Sequence, residues 1–589
     1  MKNIFPLHQF KKIKCNTLFA DLFMNYVQLI IVFFAVLFIP AKMAAQSIPV
    51  GTLVLEDAFR RAQLLGQIDS LISFTSFPLF ANSSQKLNTS FEPHHLSANR
   101  LFAKSDIMYR SGKKGTVQLL PFTWQQQYNT HHPYSLNDGA MIPARGYQTM
   151  VSGGFYAQYG PLSIQIQPEY VFAENKDFQG FYKEHSDLMW EKYYGQVLNF
   201  IDLPEKFGNG SYRRLLWGQS SLRLTLGPFS AGISNENLWW GPGIRNSLVM
   251  SNTASGFKHM TLNTVRPVKT FIGSFELQII SGDLDNSGFD PPGTNRMYSD
   301  TMLYIPKRND LRYINGMLVS YHPRWVPGLF VGVTRSFISY YKDMGNTFAD
   351  YLPIITPITK KANYGNKESP YPQDQRASFF FRWLWKEEKA ELYWEFGRED
   401  HAFNLRDFIV QPYHTSMYIL GFRKLIPLIA HKDQYIQIKA ELTQLAQIGT
   451  NTTRPTGSIY LYYAGISQGY THRGQLLGAG IGPGSNMQVL SLNWVKSLKT
   501  FGIQVERYVH NNDFAISLSD TRTKWVDFTT AVIGEYDYKN LLFSFRFEMI
   551  RSYNYQYLYN PVTVENPTYW TPGRNIYDYQ GKVGVSYRF

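Results

Sequence analysis

The sequence predicts an all-β protein: a closed antiparallel transmembrane β-barrel of about 18 strands with one small helical element before it. Three observations carry this. Apolar and polar residues alternate with period two from Thr116 to the end, and the polar set includes full charges in mid-strand. Aromatic residues make up 16% of the chain, yet its mean hydropathy is −0.27 and only 17% of it is charged. The chain closes on YQGKVGVSYRF, with Val583, Val585, Tyr587 and the terminal Phe589 on one face.

The alternation is regular. Leu162, Ile164 and Ile166 alternate with Ser163, Gln165 and Gln167; Leu392, Trp394 and Phe396 alternate with Glu391, Tyr393 and Glu395. Ile436, Ile438, Ala440 and Leu442 alternate with Gln437, Lys439 and Glu441. A dry core does not accept such charges, so the apolar set is expected to face lipid and the polar set a wet lumen. A soluble β-sandwich with its charges in solvent shows the same pattern. The amino-terminal leader and the aromatic carboxy-terminus favour the barrel, because a chain that ends inside a strand pairs that strand with the first on closure. Irregular stretches at 176–212, 282–312, 343–375 and 548–578 are expected as extracellular loops, and Glu387-Glu388-Lys389 as a tight turn. No repeat of fixed period stands out, which weighs against a propeller.

Taken in order, residues 1–45 read as a secretory signal peptide. Lys11, Lys12 and Lys14 precede an unbroken apolar run, Leu29 to Ile39, and Ala44-Ala45 suggest cleavage near Gln46. A single membrane anchor over Leu22 to Ala41 is the competing reading, interrupted by Asn25 and Gln28. Residues 46–80 hold the helical segment: Leu55, Ala58, Phe59, Ala62, Leu65, Ile68 and Ile72 recur at helical spacing over Val54 to Ile72, with Arg60, Arg61, Gln63 and Gln67 on the other face. Residues 81–113 are polar and read as a linker or loop, and residues 114–589 as the barrel.

The net charge is +14; five lysines and one aspartate leave with the leader, taking it to about +10. That bias favours anionic partners such as acidic polysaccharide or lipopolysaccharide phosphates. The basic residues are scattered through strand patterns instead of clustered, which argues against nucleic acid. Cys15, the only cysteine, lies in the leader, so thiol catalysis, disulfides and cysteine-ligated metal fall together. His94-His95 and His131-His132 lack further ligands at metal spacing and read as solvated loop histidines. No cofactor motif and no metal site is expected.

Two blocks break the strand pattern. The first, Asn235 to Asn252, reads NENLWWGPGIRNSLVMSN: Trp239-Trp240 followed by a Gly-Pro-Gly that cannot continue a strand or helix. The pair reads either as a bulky anchor at a strand end or as an aromatic platform beside a ligand. The second, Tyr470 to Asn486, reads YTHRGQLLGAGIGPGSN, in which Arg473 offers a planar fork suited to carboxylates, among closely spaced glycines. A glycine-rich crossing of the barrel interior is the alternative.

Together these blocks, with SGFKHMTLNTVRPVKTFIGSFE after the first, resemble the capsule-assembly Wzi family of outer-membrane β-barrels. The resemblance implies a cell outer membrane location, a small periplasmic helical element, and a lectin-like role that holds capsular polysaccharide or exopolysaccharide at the cell surface. It implies as partners the polymer, outer-membrane lipids and the capsule export machinery. Trp239, Trp240, Arg245 and Asn252, then His472, Arg473 and Gln475, are the candidate glycan-binding residues.

Catalysis finds little support. Asp400-His401 beside Glu399, and Ser467 or Ser485 with His472, offer the pieces of a hydrolase. No nucleophile elbow, HExxH or phosphate loop accompanies them. The chain reads as a non-enzyme. Its rivals are a channel for sugars or other nutrients, a barrel hydrolase, and a purely structural barrel of an export assembly.

Overall fold

The computed structural model describes residues 46–51, 53–68, 71–81, 107–111, 115–355, 373–399, 405–447, 461–462, 465–518, 523–558 and 575–589. The expected leader, most of the 81–113 connection, His94-His95 and Asp400-His401 lie outside them.

Twenty-two strand segments form one continuous sheet. In four places two segments run end to end: Leu162–Ile166 with Glu169–Ala173, Tyr212–Leu216 with Ser221–Leu226, His259–Thr264 with Val268–Lys269, and Ile576–Tyr587 with Ile107–Ser111. The sheet is therefore an antiparallel barrel of eighteen staves. It closes where Ile576–Tyr587 pairs with Gly115–Asn129, with Val583 opposite Gln126. Closure removes the edge strands that an open sheet would expose.

The barrel is inverted relative to a soluble fold. Leu222 and Leu224 are each 46% exposed, whereas Arg223 between them is 2% exposed. Trp394 and Phe396 likewise face outward while Glu391, Tyr393 and Glu395 are buried in the lumen. This is the arrangement that hydrocarbon outside and polar packing inside require.

Short turns such as Tyr159 to Leu162 and Trp385 to Ala390 join the staves at one end. At the other end run the long connections, which include 130–145, 174–211, 235–258, 285–311 and the described parts of 445–485 and 510–525. Both sequence blocks belong to this second set.

The lumen is filled. Helix α1 (Leu53–Leu64) lies near the short-turn end, where Leu64 packs on Phe330, Leu384, Leu425 and Val495. It is shorter than the periodicity suggests. Gly66, at φ +71°, reverses the chain, and the Gln67 and Gly66 amides donate to the Ala62 and Gln63 carbonyls in a Schellman cap. Leu55, Ala58, Phe59 and Ala62 pack in a cluster with Ile68, Ile72, Phe74 and Trp239.

The polar face of α1 is also buried, because it meets the lumen wall and not solvent. Asp57 accepts from Arg423 at 2.8 Å and from Lys439 at 3.3 Å, and also pairs with Arg61. Arg60 pairs with Glu391 at 3.1 Å, and Glu391 is held in turn by Arg382 at 2.5 Å and Arg423 at 3.2 Å. Arg382 donates to Gln63 at 2.7 Å. Burial alone would raise the Asp57 carboxyl, yet Arg423, Lys439 and Arg61 hold it well below the usual carboxylate range. Charges this deep persist only because each has a partner.

Candidate functional site

The first block is seated on the barrel's inner wall. Trp239-Trp240 pairs as a short antiparallel strand with Ser76–Phe77 of the segment after α1. Gly241, at φ +121°, makes the turn, and a Cβ there would meet the Glu395 carboxylate at 2.6 Å. The backbone amides of Ile244, Arg245 and Asn246 then converge on one lumen carboxylate, Glu441, at 2.7, 3.0 and 2.8 Å. Tyr393 donates to the same carboxylate at 2.9 Å. Three amides around one anion form a fixed cradle that sets the path of the loop.

The tryptophans are anchors. Trp240 is fully buried, with its indole N–H donating to Gln278 at 2.6 Å, and Trp239 is 6% exposed within the α1 cluster. Neither offers a ring face to solvent. Arg245 is committed to Glu506 at 2.9 Å, and Glu506 also holds Arg546 at 2.8 Å. Asn252 is buried, accepting from Asn237 at 2.6 Å and donating to the Asn137 carbonyl at 3.0 Å.

The second block packs directly on the first. The Ser251 amide donates to the Leu477 carbonyl at 2.7 Å and its hydroxyl to the Gly478 carbonyl at 2.5 Å. Gln475 donates to the carbonyls of Met141 and Thr253, each at 3.0 Å. Thr471–His472 and Gln475–Leu476 form a small hairpin. At its turn Arg473, at φ +50°, grips Asp285 through two nitrogens at 2.9 and 2.7 Å. His472 is buried, and its Nδ1 accepts from the Asp285 amide at 3.1 Å. Burial, with Arg473 and Arg312 nearby, drives its pKa well below that of a free imidazole, so it is neutral. Its Nε2 makes no hydrogen bond. Ser467 bonds with Tyr340 and Gln468, and Ser485 with the Pro483 carbonyl, so neither serine is paired with His472.

Above this seam, at the long-loop end, lies a cavity of about 290 Å³. Gly474, Gln475, Leu476 and Gly480–Gly482 of the second block form one side of it; five other long loops and the neighbouring stave ends supply the rest. Its wall is aromatic. Trp525 stacks on His510 with centroids 3.7 Å apart, and His510 lies 3.8 Å from the Tyr508 ring. Tyr555 and Tyr557 meet Trp525 edge-on at 5.0 and 5.9 Å. Asp527 orients the stack, bonding His510 Nε2 at 2.7 Å and accepting from the Trp525 indole N–H at 2.8 Å. Tyr508, His510 and Trp525 keep part of their rings accessible.

The polar groups of the wall are few. Glu205, half-buried, accepts from the Phe181 amide at 3.2 Å and from the Tyr193 hydroxyl at 3.4 Å. Burial pushes its carboxyl up to about 7, against the pull of those two donors. His132 is only 2% exposed, tilted against Tyr555 with centroids 4.7 Å apart, and its Nε2 is unpartnered. It is not the solvated loop histidine expected from its neighbours, because the Tyr555 ring covers it. Among the described residues no cluster of three potential ligands is placed to hold a metal ion.

Of the residues singled out from sequence, Gln475 lines the cavity. Trp239, Trp240, Arg245, Asn252, His472 and Arg473 hold the two blocks beneath it. The cavity's own aromatics were not singled out. The one legible signal for them was SYNYQYLYN at 552–560, with tyrosine at every second position in a stretch expected to be loop.

A closed eighteen-stave barrel, apolar outside and packed with side chains inside, with its long loops gathered around a small aromatic cavity, defines an outer-membrane β-barrel protein. The chain belongs to the capsule assembly protein Wzi family, whose model matches residues 126–569. Among solved structures it is similar to Wzi of Escherichia coli, at 13% identity over 93% of this chain and 100% of that one, with a TM-score of 0.56. That protein is an outer membrane protein involved in group 1 capsule assembly and a carbohydrate-binding β-barrel. Weaker likenesses reach OccAB2 of Acinetobacter baumannii (12% identity, 81% of this chain and 98% of that one, TM-score 0.38) and OpdQ of Pseudomonas aeruginosa (8% identity, 80% and 97%, TM-score 0.37). No curated protein sequence matches the chain. The family and the barrel place the protein in the outer membrane.

Proposed function

We propose that this protein is a non-catalytic, lectin-like barrel that binds capsular polysaccharide or a related exopolysaccharide at its long-loop face and holds it on the cell surface. The observation that carries this reading is the aromatic cavity, built from loops above a filled lumen. Ring faces with a few fixed polar groups suit a sugar, which presents apolar C–H faces and a rim of hydroxyls. The E. coli relative, a carbohydrate-binding barrel of capsule assembly, supports the same direction.

Each contact is weak, and the repeating polymer supplies avidity by engaging many copies. Trp239, Trp240, Arg245, Asn252, His472 and Arg473 serve this by fixing the floor of the site, and Gln475 by contributing to its wall. In this reading residues 1–45 are the export leader, 46–80 the plug on the periplasmic side, 81–113 the connection and 114–589 the barrel. Lipids surround its apolar belt, and the export machinery delivers the polymer.

Deletion of the gene tests the proposal: surface-bound polysaccharide is expected to fall and released polysaccharide to rise by the same amount. A normal cell-associated fraction would overturn it.

A further inference from the structure

We propose that the cavity recognises an uncharged sugar residue of the polymer, a neutral or N-acylated hexose, and discriminates against uronic acids. This rests on the polysaccharide-binding reading and goes beyond it by naming the class of residue bound. The chain as a whole carries +14, and that bias taken alone points to acidic sugars. The wall says otherwise. Among the described residues lining the cavity there is no lysine and no arginine, and the one carboxyl is Glu205.

Three cations on adjacent segments are committed elsewhere: Lys206 pairs with Asp177, Lys582 with Asp138 at 2.7 Å, and Lys192 with the Ser517 carbonyl at 2.5 Å. A uronate carboxylate entering this space would lose water, find no counter-charge, and meet Glu205. A hydroxyl or acetamido group has what it needs. Glu205 accepts from an O–H or N–H, Gln475 and Asn511 line the same space, and the accessible part of the Trp525 ring covers an apolar ring face. At about 290 Å³ the cavity sits at the small end of ligand sites, suited to one or two sugar rings of the chain.

The test uses the full barrel in detergent micelles with three probes: the organism's own surface polysaccharide, chito-oligosaccharides, and oligogalacturonates of the same length. Wild type is expected to bind its own polymer and to favour the uncharged oligomer over the uronate by at least about tenfold. Glu205→Lys is expected to reverse that preference, and Trp525→Ala to weaken binding of polymer and oligomer alike by about tenfold or more.

Equal or stronger binding of the uronate, or binding of the polymer that ignores both substitutions, overturns the inference and leaves polysaccharide binding intact. Failure of wild type to bind any of the three overturns the polysaccharide reading itself. Retained barrel folding, read by heat-modifiable mobility, separates both outcomes from misfolding.

Discussion

Arg60 of α1 donates a 2.9 Å hydrogen bond to the Pro242 carbonyl, in the Gly-Pro-Gly turn of the first block. The same guanidinium pairs with Glu391 on the barrel wall at 3.1 Å. One buried cation therefore ties the plug helix, the signature loop and the lumen together. The loop face above is held in position from beneath, through contacts that never reach solvent.

The lumen filling predicts electrical behaviour. Purified wild-type protein in planar bilayers is expected to show no sustained conductance, and a large steady pore would contradict the filled lumen. Glu391→Ala strands Arg60, Arg382 and Arg423 without their shared carboxylate. Breaking a buried ion pair costs about 3–5 kcal/mol, so this variant is expected to give flickering openings and a lower unfolding midpoint.

The anchor role of Trp240 predicts a stability defect. Trp240→Ala removes a fully buried indole and leaves Gln278 with only the longer, 3.4 Å bond from the Ser76 hydroxyl. The expected loss is about 3–5 kcal/mol, measured as a drop in the urea midpoint of the refolded barrel. A change near zero would mean the block is not seated as described.

The cavity wall predicts the opposite separation. Trp525 sits half-buried on His510, at the edge of the packed cluster. Trp525→Ala is expected to weaken polysaccharide binding by about tenfold or more, roughly 1.4 kcal/mol, with the barrel's stability little changed. Binding isotherms and unfolding curves on the same preparation check both halves.

Two loop carboxyls predict a pH dependence. Burial pushes both Glu205 and Asp513 up to about 7, against the Phe181 amide and Tyr193 hydroxyl at the first and the Gln447 amide at the second. A carboxyl raised in the folded state contributes stability that is complete below its unfolded pKa and is lost as pH rises through about 7. Protection factors for hydrogen exchange in 174–211 and 510–518, with the intrinsic pH dependence of the amides divided out, are thus expected to be several-fold lower at about pH 8 than at about pH 5. Glu205→Gln with Asp513→Asn is expected to flatten that profile.

Much of the fold was legible because strand geometry writes itself into sequence. Arg223 between Leu222 and Leu224 announces its side of the wall by position alone, and closure follows from the aromatic strand at the carboxy-terminus. Helix α1 was visible by periodicity, but its end was not, since the cap depends on Gly66 adopting positive φ. Its polar face was visible too, but not what it meets: nothing local to Arg60 or Gln63 reveals that a charged wall lies opposite.

The site divides the same way. Sequence alone determined the inside-out barrel and the two unusual blocks, because alternation and turn chemistry act over a few neighbouring residues. Only the tertiary structure decided that Trp240 is an anchor, that Gln475 reaches Thr253 across 222 residues of chain, and that Glu205, His510, Trp525 and Tyr555 share one cavity. Those relations arise where separate loops meet, and a loop's sequence carries no record of which distant loop it will face.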